Sequence, residues 1–283
     1  MTSLHEHTKA AAARLKAAGI PPEEAELDAQ LLAARVLGWD RTRLVTSWRD
    51  AAPDRFASRF EELVGRRERR EPIAQIVGSR EFWGLEFEVT REVLTPRPET
   101  EGVVEAALAH TRRARAIVDV GTGTGCLAVA LAREFPDARI IAVDISDAAL
   151  RVASRNAARH GVAERIELRQ SDQLDAVRGP ADLIVSNPPY VPDSAAATLP
   201  PEVREFEPAA ALFAGAEGLD AIARLVADSP ARLAADGLLI FECGAGQDAA
   251  IRGMIGSAAG LELIDIHPDL SGIPRTVVAR KVD

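Results

Sequence analysis

Residues 116–144 confine this chain to few architectures. Ala116-Ile117-Val118-Asp119-Val120 is apolar enough to be a strand buried on both faces, and Gly121-Thr122-Gly123-Thr124-Gly125 follows at once. Leu127, Val129, Ala130 and Leu131 then carry a helix to Phe135-Pro136, and Arg139-Ile140-Ile141-Ala142-Val143 is a second buried strand ending in Asp144. The pattern continues with a helix over 148–159 capped by Ser146 and closed by Gly161, and with strands at 166–168 and 181–186. A helix over 219–233, a strand over 238–242, a helix over 247–254 and an edge hairpin of 261–264 with 276–279 complete it. Seven strands alternating with helices predict an α/β, doubly wound sheet.

The first 72 residues read differently. Helices are expected over 4–18, from Pro22 to Gly38, and from Pro53-Asp54 with Phe56, Phe60, Leu63 and Val64 inward. Arg66-Arg67-Glu68-Arg69-Arg70 closes the last one; a solvated final turn complementing the helix dipole is favoured over a partner-binding surface. Between 73 and 95, Ile76-Val77 and Phe87-Glu88-Val89 flank Phe82-Trp83-Gly84-Leu85 as a short hairpin or connector. The expected division is an N-terminal helical domain (1–72), a hairpin linker (73–95) and an α/β domain (96–283). Charge follows it: 13 Lys+Arg stand against 12 Asp+Glu through Gln75, and 21 against 31 beyond. A net charge of −9 argues against broad nucleic-acid binding. Two cysteines, no export signal and no membrane-length apolar run predict a cytoplasmic location, and five scattered histidines predict no metal site.

The glycine loop lets a ligand approach backbone amides at a helix N-terminus, and Asp144, about twenty residues on, suits ribose hydroxyls. The loop has neither the dinucleotide nor the phosphate-loop spacing, and no lysine lies near it. Asp119 at its mouth would repel a pyrophosphate and suit an ammonium or sulfonium cation. S-adenosylmethionine fits that set, with Asp172 at the third strand's end as an acceptor for the adenine amino group.

The fourth strand runs into Asn187-Pro188-Pro189-Tyr190. Two prolines fix two φ angles and remove two donors, so the chain must leave the sheet as a stiff turn at its carboxyl edge. The Asn187 carboxamide oxygen and the Pro188 carbonyl can accept both hydrogens of a planar –NH2 group, with the Tyr190 ring flat against it. No general base accompanies them, so the held nitrogen would react without prior ionisation. Alone, the tetrapeptide is equally a Pro-Pro turn with Asn187 as a cap.

Together, 118–125, Asp144 and 187–190 resemble class I S-adenosylmethionine-dependent methyltransferases that modify amino or amide nitrogens. Leu94-Thr95-Pro96-Arg97-Pro98-Glu99-Thr100-Glu101, Glu207-Pro208 and Ser271-Gly272-Ile273-Pro274-Arg275 narrow the resemblance to the peptide chain release factor glutamine methyltransferases (HemK/PrmC). Their N-terminal helical bundle is similar too. Sister enzymes acting on a ribosomal protein usually have Pro-Arg-Ser-Pro where this chain has Pro96-Arg97-Pro98-Glu99.

The resemblance implies a Rossmann-like seven-stranded class I methyltransferase sheet and S-adenosylmethionine as cofactor. It implies methylation at N5 of the glutamine in the Gly-Gly-Gln motif of class 1 release factors, supporting translation termination, by a monomer. Asp119, Gly121, Thr122, Gly123, Thr124, Gly125, Asp144, Ile145, Asp172, Gln173 and Asn187 would line the cofactor. Asn187, Pro188 and Tyr190 would be catalytic, and Pro189 and Arg97 would join them against the substrate. Arg97 is read equally as an ion-pair partner of Glu99. The family usually has Trp or Phe where this chain has Gln173, so adenine stacking there is expected to differ. Two other readings compete. A nucleic-acid amino methyltransferase would need a basic groove and more than the twelve aromatics present, and a non-catalytic interaction protein would not need an intact glycine loop.

Overall fold

The computed structural model describes residues 2–283. They form two compact units: one runs to Ser79 and includes Pro200–Phe206, and the other comprises Arg80–Leu199 with Glu207–Asp283.

In the first unit Leu4–Ala17, Pro22–Leu37, Arg41–Thr46, Phe56–Glu68 and Ile73–Val77 are helices, joined by Pro201–Phe206. Ser3 starts the first with a capping box, its hydroxyl accepting from Glu6 N–H while the Glu6 carboxylate accepts from Ser3 N–H. Leu4, Leu15, Leu32, Phe56 and Phe60 are fully buried, and the two phenyl rings stack at 5.0 Å.

Three expectations are corrected here. Arg41–Thr46, capped by Asp40, is too short to show a periodic apolar face and went unanticipated. Ile76 and Val77 belong to a helix rather than a strand, because Pro72 and Gly78 (φ 88°) bracket a single turn. The basic run is not a solvated face. Arg67 is buried; its Nε donates to Asp28 (2.7 Å) and its guanidinium also reaches Glu202 (2.9 Å). Arg70 binds Glu202 twice, at 2.6 and 2.8 Å, and Arg66 pairs with Glu71. Burial opposes ionisation of Glu202, yet the Arg70 and Arg67 hydrogen bonds hold its carboxyl below the usual range.

The chain passes into the second unit within a hairpin of Ser79–Phe82 (β1) and Leu85–Glu88 (β2), displaced from the expected stretches. Trp83 (φ 54°) and Gly84 (φ 68°) make its turn, the left-handed pair that a two-residue hairpin requires. Seven strands follow: Ala116–Val120 (β3), Arg139–Asp144 (β4), Ile166–Gln170 (β5), Ala181–Ser186 (β6), Leu233–Glu242 (β7), Leu261–Pro268 (β8) and Pro274–Lys281 (β9). Their order is β5-β4-β3-β6-β7-β9-β8, parallel except for β9, which runs antiparallel to both neighbours.

Successive residues point to opposite faces. Ile117, Ile140, Leu183 and Ile240 pack with helices Glu101–His110 and Cys126–Glu134, whereas Val118, Ile184, Leu239 and Phe241 pack with Asp220–Asp228 and Asp248–Ser257. The helix expected to reach Leu233 ends at Asp228. Ser229-Pro230-Ala231 tightens into a 3₁₀ turn there, and Leu233 already belongs to β7. Among the described residues no helix is long and apolar enough to cross a membrane.

Candidate active site

Strand order reverses beside β3, because β4 lies on one flank and β6 on the other. Chains leaving the carboxyl ends of two such strands diverge to opposite faces and open a ligand crevice. Val120 pairs with Ser186, so the glycine loop and Asn187 emerge level at this place; a Cβ on Gly121 would lie 4.0 Å from the Asn187 carbonyl oxygen.

The loop needs its glycines. Gly121, Gly123 and Gly125 have φ of 71°, 53° and 81°, which L side chains rarely adopt. Gly121 and Thr122 both donate to the Val143 carbonyl at 2.9 Å. Asp144 Oδ2 accepts from Gly123 N–H (2.9 Å) and Oδ1 from Ser146 N–H (2.9 Å), tying loop, β4 and the following helix together. Asn156, fully buried, donates to the Thr124 carbonyl (2.9 Å) and exchanges hydrogen bonds with the Glu88 backbone. Ile145, beside Asp144, is 58% exposed.

Asp119 is not at the mouth. It is wholly buried, with Oδ2 accepting from Thr122 Oγ1 (2.6 Å) and Ala128 N–H (3.1 Å), and Oδ1 has no protein partner. Burial pushes its carboxyl from 3.8 up to about 7, against those two hydrogen bonds and helped by the charge of Asp144. A carboxyl raised in the folded state contributes stability that is complete below pH 3.8 and lost as pH rises through about 7. The urea midpoint of the ligand-free protein should therefore fall relative to Asp119→Asn between about pH 4 and 8. A difference between the two proteins that stays flat over this range would contradict the assignment.

At the fourth strand's exit, Asn187 Nδ2 donates to Thr100 Oγ1 (2.9 Å), and Thr100 Oγ1 donates to Glu242 Oε2 (2.6 Å). The Tyr190 hydroxyl donates to Glu242 Oε1 (2.8 Å). Burial first, then the negative Glu242, holds the Tyr190 hydroxyl far above its ordinary pKa, so it remains a donor. Gln247 Nε2 donates to the Tyr190 carbonyl (3.0 Å) while its Oε1 accepts from Gly244 N–H (2.8 Å). Glu242 and Gln247 were not singled out from the sequence, and Thr100 stood there only as part of the 94–101 stretch, with no role of its own. A glutamate ending the apolar run Leu238-Leu239-Ile240-Phe241 was the available signal.

The remaining candidates are spread along the same edge. Pro188 is buried and Pro189 half-buried. Asp172, after β5, is exposed, with its carboxylate held by Arg224 at 2.7 Å. Gln173 has φ 48°; its Nε2 donates to the Ala221 carbonyl, and Oε1 is buried without a partner. Arg97 pairs with Glu207 (2.6 Å), not Glu99, and Glu207 also accepts from Thr95 N–H (3.3 Å). These contacts join two of the signature stretches through residues far apart in sequence.

Comparison with known proteins agrees with this geometry. Residues 6–78 match the PrmC N-terminal domain model, and 103–202 match the methyltransferase small domain model. Solved structures share the fold: a methyltransferase from Pyrococcus furiosus superposes with a TM-score of 0.56 at 17% identity, covering 77% of this chain and 99% of that one. A Thermus thermophilus 16S rRNA N2 G1207 methyltransferase in complex with AdoMet and guanosine gives 0.51 at 19%, covering 72% and 50%. Full-length relatives are much nearer. A release factor glutamine methyltransferase of Cereibacter sphaeroides is 49% identical over 96% of both chains. One from Bradyrhizobium diazoefficiens is 42% identical over 99% of this chain and 95% of its own. With similarity of that degree from end to end, and a class I methyltransferase sheet carrying Asn-Pro-Pro-Tyr at its switch point, the chain belongs to the release factor glutamine methyltransferase family.

Proposed function

We propose that this chain methylates the side-chain amide nitrogen of the glutamine in the Gly-Gly-Gln motif of class 1 release factors, using S-adenosylmethionine. The observation that carries this reading is the engaged Asn187 amide. Its NH2 is committed to Thr100, so its oxygen is the atom left to accept hydrogen from a substrate.

The crevice fits the cofactor. Three left-handed glycines leave no Cβ in a ligand's way, and each Asp144 oxygen keeps a lone pair for a ribose hydroxyl. Ile145 offers apolar surface of the kind an adenine ring covers, and Asp119 Oδ1 is a buried acceptor without a partner. Asp172 and Gln173 complete the proposed cofactor wall. S-adenosylmethionine, when bound, supplies an electrophilic methyl group and leaves as S-adenosylhomocysteine. Asn187 Oδ1 and the Pro188 carbonyl accept the two hydrogens of the glutamine amide, and Tyr190 lies against its plane. As nitrogen bonds to carbon it loses conjugation with its own carbonyl and its protons become acidic, so one passes late to water. Alignment and exclusion of bulk water supply most of the acceleration. Arg97 and Pro189 flank the acceptor, and the protein works as a cytoplasmic monomer.

The test is methyl transfer from labelled S-adenosylmethionine to a purified release factor, to the same factor with its motif glutamine changed to alanine, and to duplex DNA. Label on the intact factor alone is expected. Label on DNA, or on the altered factor, overturns the assignment.

The turn that presents Tyr190 depends on Gly218. A Cβ there would lie 2.3 Å from the Tyr190 carbonyl oxygen and 2.8 Å from Pro192 N, at φ 70°. Gly218→Ala must displace the Tyr190 backbone, and a shift near 1 Å lowers the transfer rate on the order of 10²-fold. Single-turnover kinetics should show this with the fold retained by circular dichroism; an unchanged rate would mean that the turn does not aim Tyr190.

A further inference from the structure

The buried carboxylate of Glu242 bonds directly to the Tyr190 hydroxyl and reaches Asn187 through Thr100. It is 1% exposed, sits at the end of β7, and accepts one hydrogen bond on each oxygen, from Thr100 and from Tyr190. We propose that Glu242 is the positioning residue of this active site, setting through Thr100 which end of the Asn187 amide faces the substrate while fixing the Tyr190 ring. The proposal rests on the amide-methylation reading above and adds what makes the clamp an acceptor.

The argument is one of proton counting. A threonine hydroxyl has one hydrogen to give. While Glu242 accepts that hydrogen, Thr100 Oγ1 can only accept from its other neighbour, so Asn187 must turn its NH2 toward Thr100. The carboxamide oxygen then faces outward, as a substrate –NH2 requires. Without the acceptor at Glu242, the Thr100 hydrogen becomes free to bond the Asn187 oxygen. The amide can then rotate and present its own NH2 to the substrate nitrogen, donor against donor. The second oxygen acts in the same way on Tyr190, whose hydroxyl is anchored so that the ring plane cannot swing. Glu242 touches neither cofactor nor acceptor in this scheme and moves no proton in the reaction. It fixes a pattern of donors and acceptors in advance, which is where preorganised sites draw their rate advantage.

Carboxylate chemistry is required rather than mere polarity. A glutamine at 242 accepts through its one oxygen from Thr100 or from Tyr190, and its NH2 can only donate to the other hydroxyl, so one of the two hydroxyl hydrogens loses its acceptor. A valine at 100 keeps nearly the volume of threonine, breaks the Asn187 arm and takes the donor from Glu242 Oε2, while the Tyr190 bond to Oε1 remains.

Glu242→Gln and Thr100→Val should each lower kcat on the order of 10²-fold, with the dissociation constant for S-adenosylmethionine and the KM for release factor within about threefold of wild type. Thr100→Ser, which restores a hydroxyl, should recover most of the rate lost in Thr100→Val. The side-chain amide of Asn187, observed by NMR in the ligand-free protein, should lose its hydrogen-bonded proton shift in Thr100→Val. Wild-type kcat in Glu242→Gln, cofactor affinity falling as far as rate, or an Asn187 amide signal unmoved in Thr100→Val would each overturn the proposal. The NMR measurement needs no substrate. If the wild-type protein methylates no release factor, the functional reading fails, and the amide signal still decides whether Thr100 orients Asn187.

Discussion

Asn187→Ala lowers the rate constant of methyl transfer to release factor by roughly 10²- to 10³-fold, the range found when one preorganised group is removed from an acyl-transfer site. Alanine deletes the one side-chain acceptor at the exit of β6 and leaves the Pro188 carbonyl to hold a two-hydrogen amide alone. The fold should tolerate the change: Asn187 is only half-buried, and Thr100 keeps its bond to Glu242. Cofactor affinity measured by calorimetry should fall far less than the rate, since Asn187 is one of several residues proposed to line the cofactor and the glycine loop and Asp144 are untouched.

Asn187→Asp is the sharper companion. An aspartate is nearly isosteric and has acceptors on both sides, so its outer oxygen could still hold the substrate. Its inner oxygen would compete with Glu242 for the single Thr100 hydrogen, placing two carboxylates around one proton. Both variants should therefore be slow in single-turnover assays. An alanine variant within threefold of wild type would remove Asn187 from the reaction.

Arg67→Ala costs the helical unit about 3–5 kcal/mol, the usual consequence of removing one partner from a buried ion pair. Arg67 and Asp28 have side chains 4% and 5% exposed, and the pair is 2.7 Å long. Burial already pushes the Asp28 carboxyl above its ordinary pKa despite the arginine beside it; without Arg67 the same carboxyl must stay charged in an apolar core or take up a proton. Glu202 would retain Arg70 alone. Urea unfolding followed by tryptophan fluorescence at Trp39 and Trp48 should report the loss. A double replacement, Arg67→Met with Asp28→Leu, removes both charges and should regain most of the stability. A cost below about 1 kcal/mol for Arg67→Ala would show the pair to be no more than a surface bridge.

The sheet was legible because β3, β4 and β6 are buried on both faces and so read as unbroken apolar runs. The glycine loop and Asn-Pro-Pro-Tyr were legible for a related reason: each is a local backbone constraint, written in consecutive residues. What could not be read were pairings between distant positions. Thr100 and Glu242 meet across 142 positions, and Arg97 finds Glu207 rather than the nearby Glu99 because the fold brings the connection after β6 back to it. Arg66–Arg70 misled for the same reason. Its charge looked solvated while its partners, Asp28 and Glu202, lay 39 and 135 positions from Arg67. The helical turn at 73–77 was lost to its shortness, since five residues cannot distinguish periods of two and 3.6.

Residues 200–206 belong with the helical unit although all of Arg80–Leu199 separates them from it in the chain. In terms of heredity, that unit is a discontinuous cassette. Recombination that exchanges only the first 79 residues between two relatives delivers the arginines at 67 and 70 without the glutamate at 202 that they grip. Such a chimaera inherits half of an ion network, whereas one that also carries 200–206 inherits it whole. Changes at these three positions are thus expected to spread together, and a breeder of hybrid enzymes must cut this gene in three places rather than one.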